Sequence, residues 1–179
     1  HPLIFKGLKK LTGKSYVERS VIKAIKNDIC IYGIHTNLDN VKAGVNKRIA
    51  DRIGLRNTSI LSPKTQNLLK LVAFVPLENT AEVLQAVNEA GAGQIGNYKN
   101  CSFRISGTGT FQPNEYASPT IGSKNVQEEV EENRIEVILP SYLKSKVLNA
   151  LFNAHPYEEA AYYLSTLENE NQEVGSGMI

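Results

Sequence analysis

Apolar residues recur at helical spacing on either side of an uninterrupted apolar run near the start of the chain. Over residues 15–28, apolar side chains fall on one face of a helix. Residues 29–34, with the sequence ICIYGI, are long enough for a buried strand. Helical spacing returns over residues 43–53, and residues 57–61 resemble another short strand. Strand, helix and strand in succession predict a right-handed crossover, and hence an α/β domain with a mixed or mainly parallel sheet.

The pattern breaks at residues 62–67 (SPKTQN), which are polar and contain a proline, and we place a domain boundary there. The chain then predicts the order βαββαβ, which is typical of a ferredoxin-like α+β domain. The predicted elements are a strand over 68–75, a helix that begins at Asn79 or Thr80, short strands over 101–106 and 108–111 around a glycine turn, which count together as one strand of this order, a strand over 134–139, a helix opened by Pro140 and a strand over 160–167.

These boundaries divide the chain into residues 1–67, an α/β domain; residues 68–167, the ferredoxin-like domain; and residues 168–179, a return to the first domain. Residues 168–173 (ENENQE) have the composition of a solvated link. The start at His1-Pro2, without a methionine, and the end within an apparent pattern at Ile179 are typical of an excerpt from a longer protein.

Composition excludes several classes of protein. With 179 residues and 41% hydrophobic content, the chain has the apolar share of an ordinary globular protein. Lysine and arginine number 20 against 18 acidic residues, so the net charge of +2 gives no reason to expect a nucleic acid or membrane surface as partner. Two cysteines are too few for a disulfide framework, and we predict that both are reduced in a cytoplasmic protein.

Residues 91–96 (GAGQIG) match the G-x-G-x-x-G pattern of dinucleotide-binding sites. That pattern must follow a strand and open a helix. Here it follows a predicted helix and leads into a strand, so we interpret it as a glycine-rich helix stop.

Two further stretches carry candidate metal ligands. His35 and Asp39 follow the predicted strand over 29–34, and ligands gather at the carboxyl ends of strands in α/β proteins. His1 is a third candidate, and the mixture of imidazole and carboxylate suits a divalent ion. The alternative is a turn network. His155 and Glu158, in the stretch AHPYEE, could also bind metal, but a histidine that ends a helix before Pro156 has an ordinary structural explanation.

Four stretches carry a family resemblance: HPLIFKG at residues 1–7, HTNLD at 35–39, GTGTFQPNEYASPTIG at 107–122 and AHPYEE at 154–159. Taken together and in this order, they resemble the Nif-three-like dinuclear-metal proteins, also known as GTP cyclohydrolase 1 type 2 homologues. The resemblance covers essentially the whole chain.

The resemblance implies two divalent metal ions of the zinc, iron or manganese type. His1 would match the second histidine of a His-His-Pro motif, and Asp39 would match a carboxylate that bridges the metals. His35 would lie in the same pocket, as a ligand or beside the ligands. The remaining ligands of the family, a histidine and a glutamate, would lie beyond Ile179. His155 and Glu158 would belong to the inserted domain and could form a lid.

The resemblance also implies that residues 68–167 are an inserted module, similar to the PII and copper-tolerance folds, and that the protein assembles as a toroidal homohexamer. Two functions follow from different classes. One is a hydrolase-like enzyme that acts on a small substrate, with nucleotides as one candidate. The other is a non-catalytic regulatory or ligand-sensing module in which the metal is structural.

Overall fold

The structure, a computed structural model, describes residues 2–179. Its regular elements, in chain order, are α1 (Tyr16–Lys26), α2 (Val45–Arg52), β1 (Ile60–Lys64), β2 (Leu68–Pro76), α3 (Thr80–Glu89), β3 (Phe103–Phe111), β4 (Glu128–Pro140), α4 (Lys144–Ala154), β5 (Tyr162–Leu167) and β6 (Asn171–Met178). The chain forms two compact units. The first comprises the residues up to Pro63 together with Gln172–Ile179, and the second is Lys64–Asn171.

In the first unit, α1 begins where the sequence supplies a cap, because the Ser15 hydroxyl accepts a hydrogen bond from the Glu18 backbone N–H at 3.1 Å. Strands β1 and β6 pair in a two-stranded sheet. Just beyond the end of this sheet, the Ser59 N–H donates to the Ile179 carbonyl and the Ile179 N–H donates to the Ser59 carbonyl, each at 3.0 Å. This exchange is the antiparallel pattern, so the two strands run in opposite directions.

The buried strand predicted over residues 29–34 is not present. Its apolar side chains are exposed, with Ile31 at 53% and Tyr32 at 83%. The physical reason is that a strand needs a neighbour for its backbone groups, and no described segment pairs with these residues. The strand predicted over 57–61 lies three residues later, as β1, and the described strands include no parallel pair.

The second unit has the order βαββαβ that the sequence predicts, and its four strands form an antiparallel sheet in the order β3-β4-β2-β5. Alternate residues of β2 and β4 point towards α3 and α4. The resulting core contains Leu71, Ala73, Val75, Val83, Val87, Ile135, Val137, Leu139, Val147 and Leu151. One face of the sheet is therefore buried by the helices, and the other is left for the loops.

Two predictions for this unit need correction. The glycine turn expected at Gly107 to Gly109 lies inside the continuous strand β3, and β4 begins at Glu128 rather than at Arg134. The acidic residues at the start of β4 are thus paired with β3, Gly107 facing Glu132 in the register. The GAGQIG segment follows the end of α3, and Gly91 has a φ of 111°, as expected of a helix stop.

Candidate functional site

The turn that carries Asp39 is fixed by its backbone. Asp39 lies in the short 3-10 helix Leu38–Asn40, and its N–H donates to the Thr36 carbonyl at 3.2 Å. Its own carbonyl accepts a hydrogen bond of 2.7 Å from the Asn46 side chain, at the start of α2. The Asp39 carboxylate, in contrast, makes no hydrogen bond or ion pair within residues 2–179. The two carboxylate oxygens of Asp39 are therefore carried by a fixed turn and have no partner among the described residues.

The other predicted metal ligands do not complete a site around Asp39. His35 is exposed and lies just before the same turn, whereas His1 falls outside the described residues. Among residues 2–179 no group of three or more histidine, cysteine, aspartate or glutamate side chains is arranged to hold a metal ion. His35 and Asp39 therefore suit part of a metal site, and the described chain does not supply the whole of one.

His155 is engaged on both ring nitrogens. Nε2 lies 2.8 Å from the Phe74 carbonyl oxygen, and Nδ1 accepts a hydrogen bond of 3.2 Å from the Tyr157 N–H. The first contact requires a donor, so the neutral ring carries its proton on Nε2. His155 is also the residue that ends α4, and it is 6% exposed. These contacts give it a structural role in this unit; the predicted role as a lid stays a prediction.

Glu158 holds the irregular segment of residues 112–122 against the end of α4. Its Oε1 accepts a hydrogen bond of 2.8 Å from the Ser118 N–H. Two residues further along, the Thr120 hydroxyl donates to the Pro156 carbonyl at 2.9 Å. The segment is thus fastened to the HPYE stretch at two points, and it forms one wall of a cleft on the side of the sheet away from the helices.

This cleft has a volume of about 740 Å³, within the usual range for small-molecule sites. Five aromatic rings line it, and its charged residues are all acidic. The aromatic residues are Phe74, Phe111, Tyr116, Tyr157 and Tyr163; the acidic residues are Glu132, Glu158 and Glu159. A cleft with this lining attracts ligands that combine an apolar body with a positive charge.

Glu132 and Tyr157 are the polar groups at the inner part of the cleft. Glu132 is only 8% exposed, and a side chain at Gly109 would come within 2.8 Å of its carboxyl carbon, so glycine leaves the space that Glu132 occupies. The Tyr157 hydroxyl is buried beside the Glu132 carboxylate and has no other hydrogen-bond partner among the described residues. Burial, and then the negative charge of Glu132, raise the pKa of Tyr157 to about 12.

We expect Tyr157 to remain protonated at a pH at which most tyrosines have ionised. Because its folded pKa lies above the usual value of about 10, any stability that this shift contributes is present below pH 10 and is lost as the pH rises towards 12. Replacing Glu132→Gln removes a negative neighbour and should lower the Tyr157 pKa. Carbon-13 NMR of labelled tyrosine rings would measure the Tyr157 pKa in the native protein and in Glu132→Gln. A native Tyr157 that titrates near pH 10 would contradict the raised pKa.

Sequence reasoning did not single out Glu132 or Tyr157. Glu132 belongs to an acidic patch that resembles a solvated surface, and its burial depends on residues distant in sequence. A weak signal was present in the two glycines of β3, because a glycine inside a strand often marks the close approach of another group. Tyr157 lies within the AHPYEE stretch, where attention falls on the histidine and the carboxylates.

Comparison with known proteins gives one consistent result. Curated relatives named GTP cyclohydrolase 1 type 2 homolog match essentially the whole chain, at 47% identity in Halalkalibacterium halodurans and 39% in Bacillus subtilis. The chain spans about half the length of these relatives, 48% in both. No described helix is long and apolar enough to cross a bilayer.

A crystal structure of a Bacillus cereus protein related to NIF3 superposes on 99% of the chain and 47% of its own length, with a TM-score of 0.80 and 45% identity. A Staphylococcus aureus protein of known structure covers 99% of this chain and 44% of its own, with a TM-score of 0.54 and 28% identity. The family model for Duf34/NIF3 (NGG1p interacting factor 3) matches residues 1–138. The chain therefore belongs to the Duf34/NIF3 family.

Proposed function

We propose that this chain contributes ligands to a site for two divalent metal ions in a hydrolase-like protein, with Asp39 as its bridging carboxylate. The observation that carries the proposal is the Asp39 side chain, which is uncommitted while its backbone is held on both sides. A turn that is fixed at its backbone presents a carboxylate at little further cost in ordering. His1 and His35 are the nitrogen ligands that the proposal assigns to the same site.

A pair of divalent ions with an open coordination position supplies activated water for hydrolysis. The residues of this chain would hold and space the ions. The relatives carry the name GTP cyclohydrolase 1 type 2 homolog. As part of the proposal, we infer from this name that the substrate is small and nucleotide-related. We also propose a cytoplasmic homohexamer, supported by the exposed apolar side chains of residues 29–34 and by two unpaired cysteines.

Elemental analysis tests the metal site. We expect about two divalent ions per protomer in protein extended to the length of its relatives, and Asp39→Ala should lose at least one of them because no bridging carboxylate remains. Asp51→Ala is the matched control, since Asp51 is an exposed aspartate on α2 whose carboxylate pairs with Lys47. The proposal would be contradicted if the extended protein contained no bound metal, or if Asp39→Ala kept its full metal content.

The second candidate is ligand sensing without catalysis, and the cleft in the second unit is the observation that favours it. The state of the metal separates the two candidates. An enzyme site keeps a water-accessible coordination position, whereas a structural ion is closed by protein ligands. Measuring the number of metal-bound waters by relaxation of a manganese-loaded sample would decide between them.

A further inference from the structure

We propose that the cleft in the second unit binds a small organic cation, an amine or guanidinium group on an apolar body, with Glu132 as its counter-ion. The proposal rests on the second candidate function, ligand sensing, and names the chemical class of the ligand. It does not depend on the metal site, because every residue of the cleft belongs to Lys64–Asn171.

Glu132 is a buried carboxylate without a cationic partner. Its side chain makes no ion pair within residues 2–179, and the polar group with which it interacts is the Tyr157 hydroxyl. The nearest basic residue along β4, Arg134, is already engaged, because its Nε and Nη2 both donate to Glu136 Oε1, at 3.0 and 2.8 Å. Lys70 also pairs with Glu136, at 3.5 Å. A buried charge is costly unless it is paired. A cationic ligand would supply the positive charge that no described residue places beside Glu132.

The Tyr157 hydroxyl is a second polar group beside Glu132, with which it interacts. It is buried, and apart from Glu132 the described residues offer it no hydrogen-bond partner. A hydroxyl can accept a hydrogen bond from an ammonium or guanidinium while it donates its own proton to a carboxylate. Tyr157 is held in place by its backbone contact to His155 and by the edge-on packing of the two rings, whose centroids are 5.1 Å apart. The Glu132 carboxylate and the Tyr157 hydroxyl thus form one polar pair in the lining of the cleft.

The walls of the cleft suit a cation with an apolar body. Phe111 and Tyr157 lie 5.9 Å apart between ring centroids, and Phe74 and Tyr163 form an edge-on pair at 5.6 Å. Aromatic faces attract ammonium and guanidinium groups, most strongly where water is excluded. Among residues 2–179, no lysine, arginine or histidine lines the cleft, so no described residue of its lining would repel the ligand charge.

A metal ion is the other cation to consider, and the geometry disfavours it. The three carboxylates of the cleft do not come together as a metal-binding group in the described chain. Glu158 is also committed to the Ser118 N–H. A volume of about 740 Å³ lined by five rings is far larger than a metal ion needs. The ligand class is therefore an organic cation.

Tyramine is a suitable probe, because 4-ethylphenol has the same ring and carbon chain without the ammonium group. In buffer with a metal chelator, we expect tyramine to bind at least tenfold more tightly than 4-ethylphenol, as judged by titration in two-dimensional amide NMR. The tyramine-induced shifts should map to Gly109, Glu132 and Tyr157. Glu132→Gln should weaken tyramine about tenfold or more and leave 4-ethylphenol unchanged.

Glu131→Gln is the matched control, since Glu131 is the preceding residue of β4, is exposed and accepts a hydrogen bond from Thr108. Equal affinity for the two probes would overturn the proposal, and so would unchanged tyramine binding in Glu132→Gln. If Glu132→Gln loses its native spectrum, tyramine titration of Tyr157→Phe and the map of shifts in the native protein still test whether tyramine binds in this cleft. Tyramine binding that is unchanged in Asp39→Ala would show that the cleft binds its ligand independently of the metal site.

Discussion

Replacing Leu71→Ala should lower the free energy of unfolding of the second unit by about 2–5 kcal/mol. Leu71 lies at the centre of β2, is fully buried and belongs to the core between the sheet and the two helices. Truncation removes three carbon atoms from water-excluded packing and leaves a cavity that the surrounding strands cannot close. Both β-strand neighbours of β2 hold its backbone in register, which limits relaxation.

Leu77→Ala makes the same chemical change at an exposed position, since Leu77 is 48% exposed in the turn after β2. We expect this control to cost less than about 1 kcal/mol. Amide hydrogen exchange of β2 and β4 residues would measure both effects within the second unit, independently of the first. A Leu71→Ala protein with unchanged protection would show that the described core does not hold this unit together.

Gly44→Ala should disrupt the Asp39 turn, at a cost of about 1–3 kcal/mol in local stability. Gly44 precedes α2, and a side-chain carbon there would overlap the Leu38 carbonyl oxygen and lie 2.8 Å from the Val41 carbonyl oxygen. These neighbours are backbone atoms, which cannot move aside without displacing the turn. The change should therefore release Asp39 from its fixed position.

Hydrogen exchange at the amides of Asp39 and Asn40 reports on this turn, because they donate to the carbonyls of Thr36 and Asn37. Faster exchange at both amides is the expected result. Gly7→Ala provides the control, since a side-chain carbon at Gly7 meets no atom within 4 Å. Equal protection in Gly44→Ala and in the native protein would mean that the close approach at Gly44 is unimportant.

The second unit was the more predictable of the two, because it contains the partners of its own elements. Val83 and Val87 share a helix face in the sequence, and both are fully buried against the sheet. The order βαββαβ follows from such local patterns, whereas strand length does not: β4 extends back to Glu128 only because β3 pairs with it. Pairing is a long-range property that periodicity does not report.

The first unit shows the opposite case. Residues 29–34 have the composition of a buried strand, yet composition predicts only that apolar side chains favour burial, and a strand also requires a neighbour. Asp39 is predicted from its place after that stretch and from the resemblance, and only the structure shows that its carboxylate has no partner within residues 2–179. Glu132 was missed because its burial depends on Gly109 and on the irregular segment of residues 112–122, which precedes it by ten to twenty residues.

The pairing of β1 with β6 has a consequence for the order of events during synthesis. About a hundred residues separate these strands, so β1 leaves the ribosome roughly 5–20 s before β6 is complete. The intervening unit contains all the partners of its own four-stranded sheet, and its last strand, β5, is complete before β6 begins. Its early folding would shorten the effective loop between β1 and β6 and so reduce the entropy lost when they meet. The pairing of β1 therefore has to wait until the second unit has been synthesised.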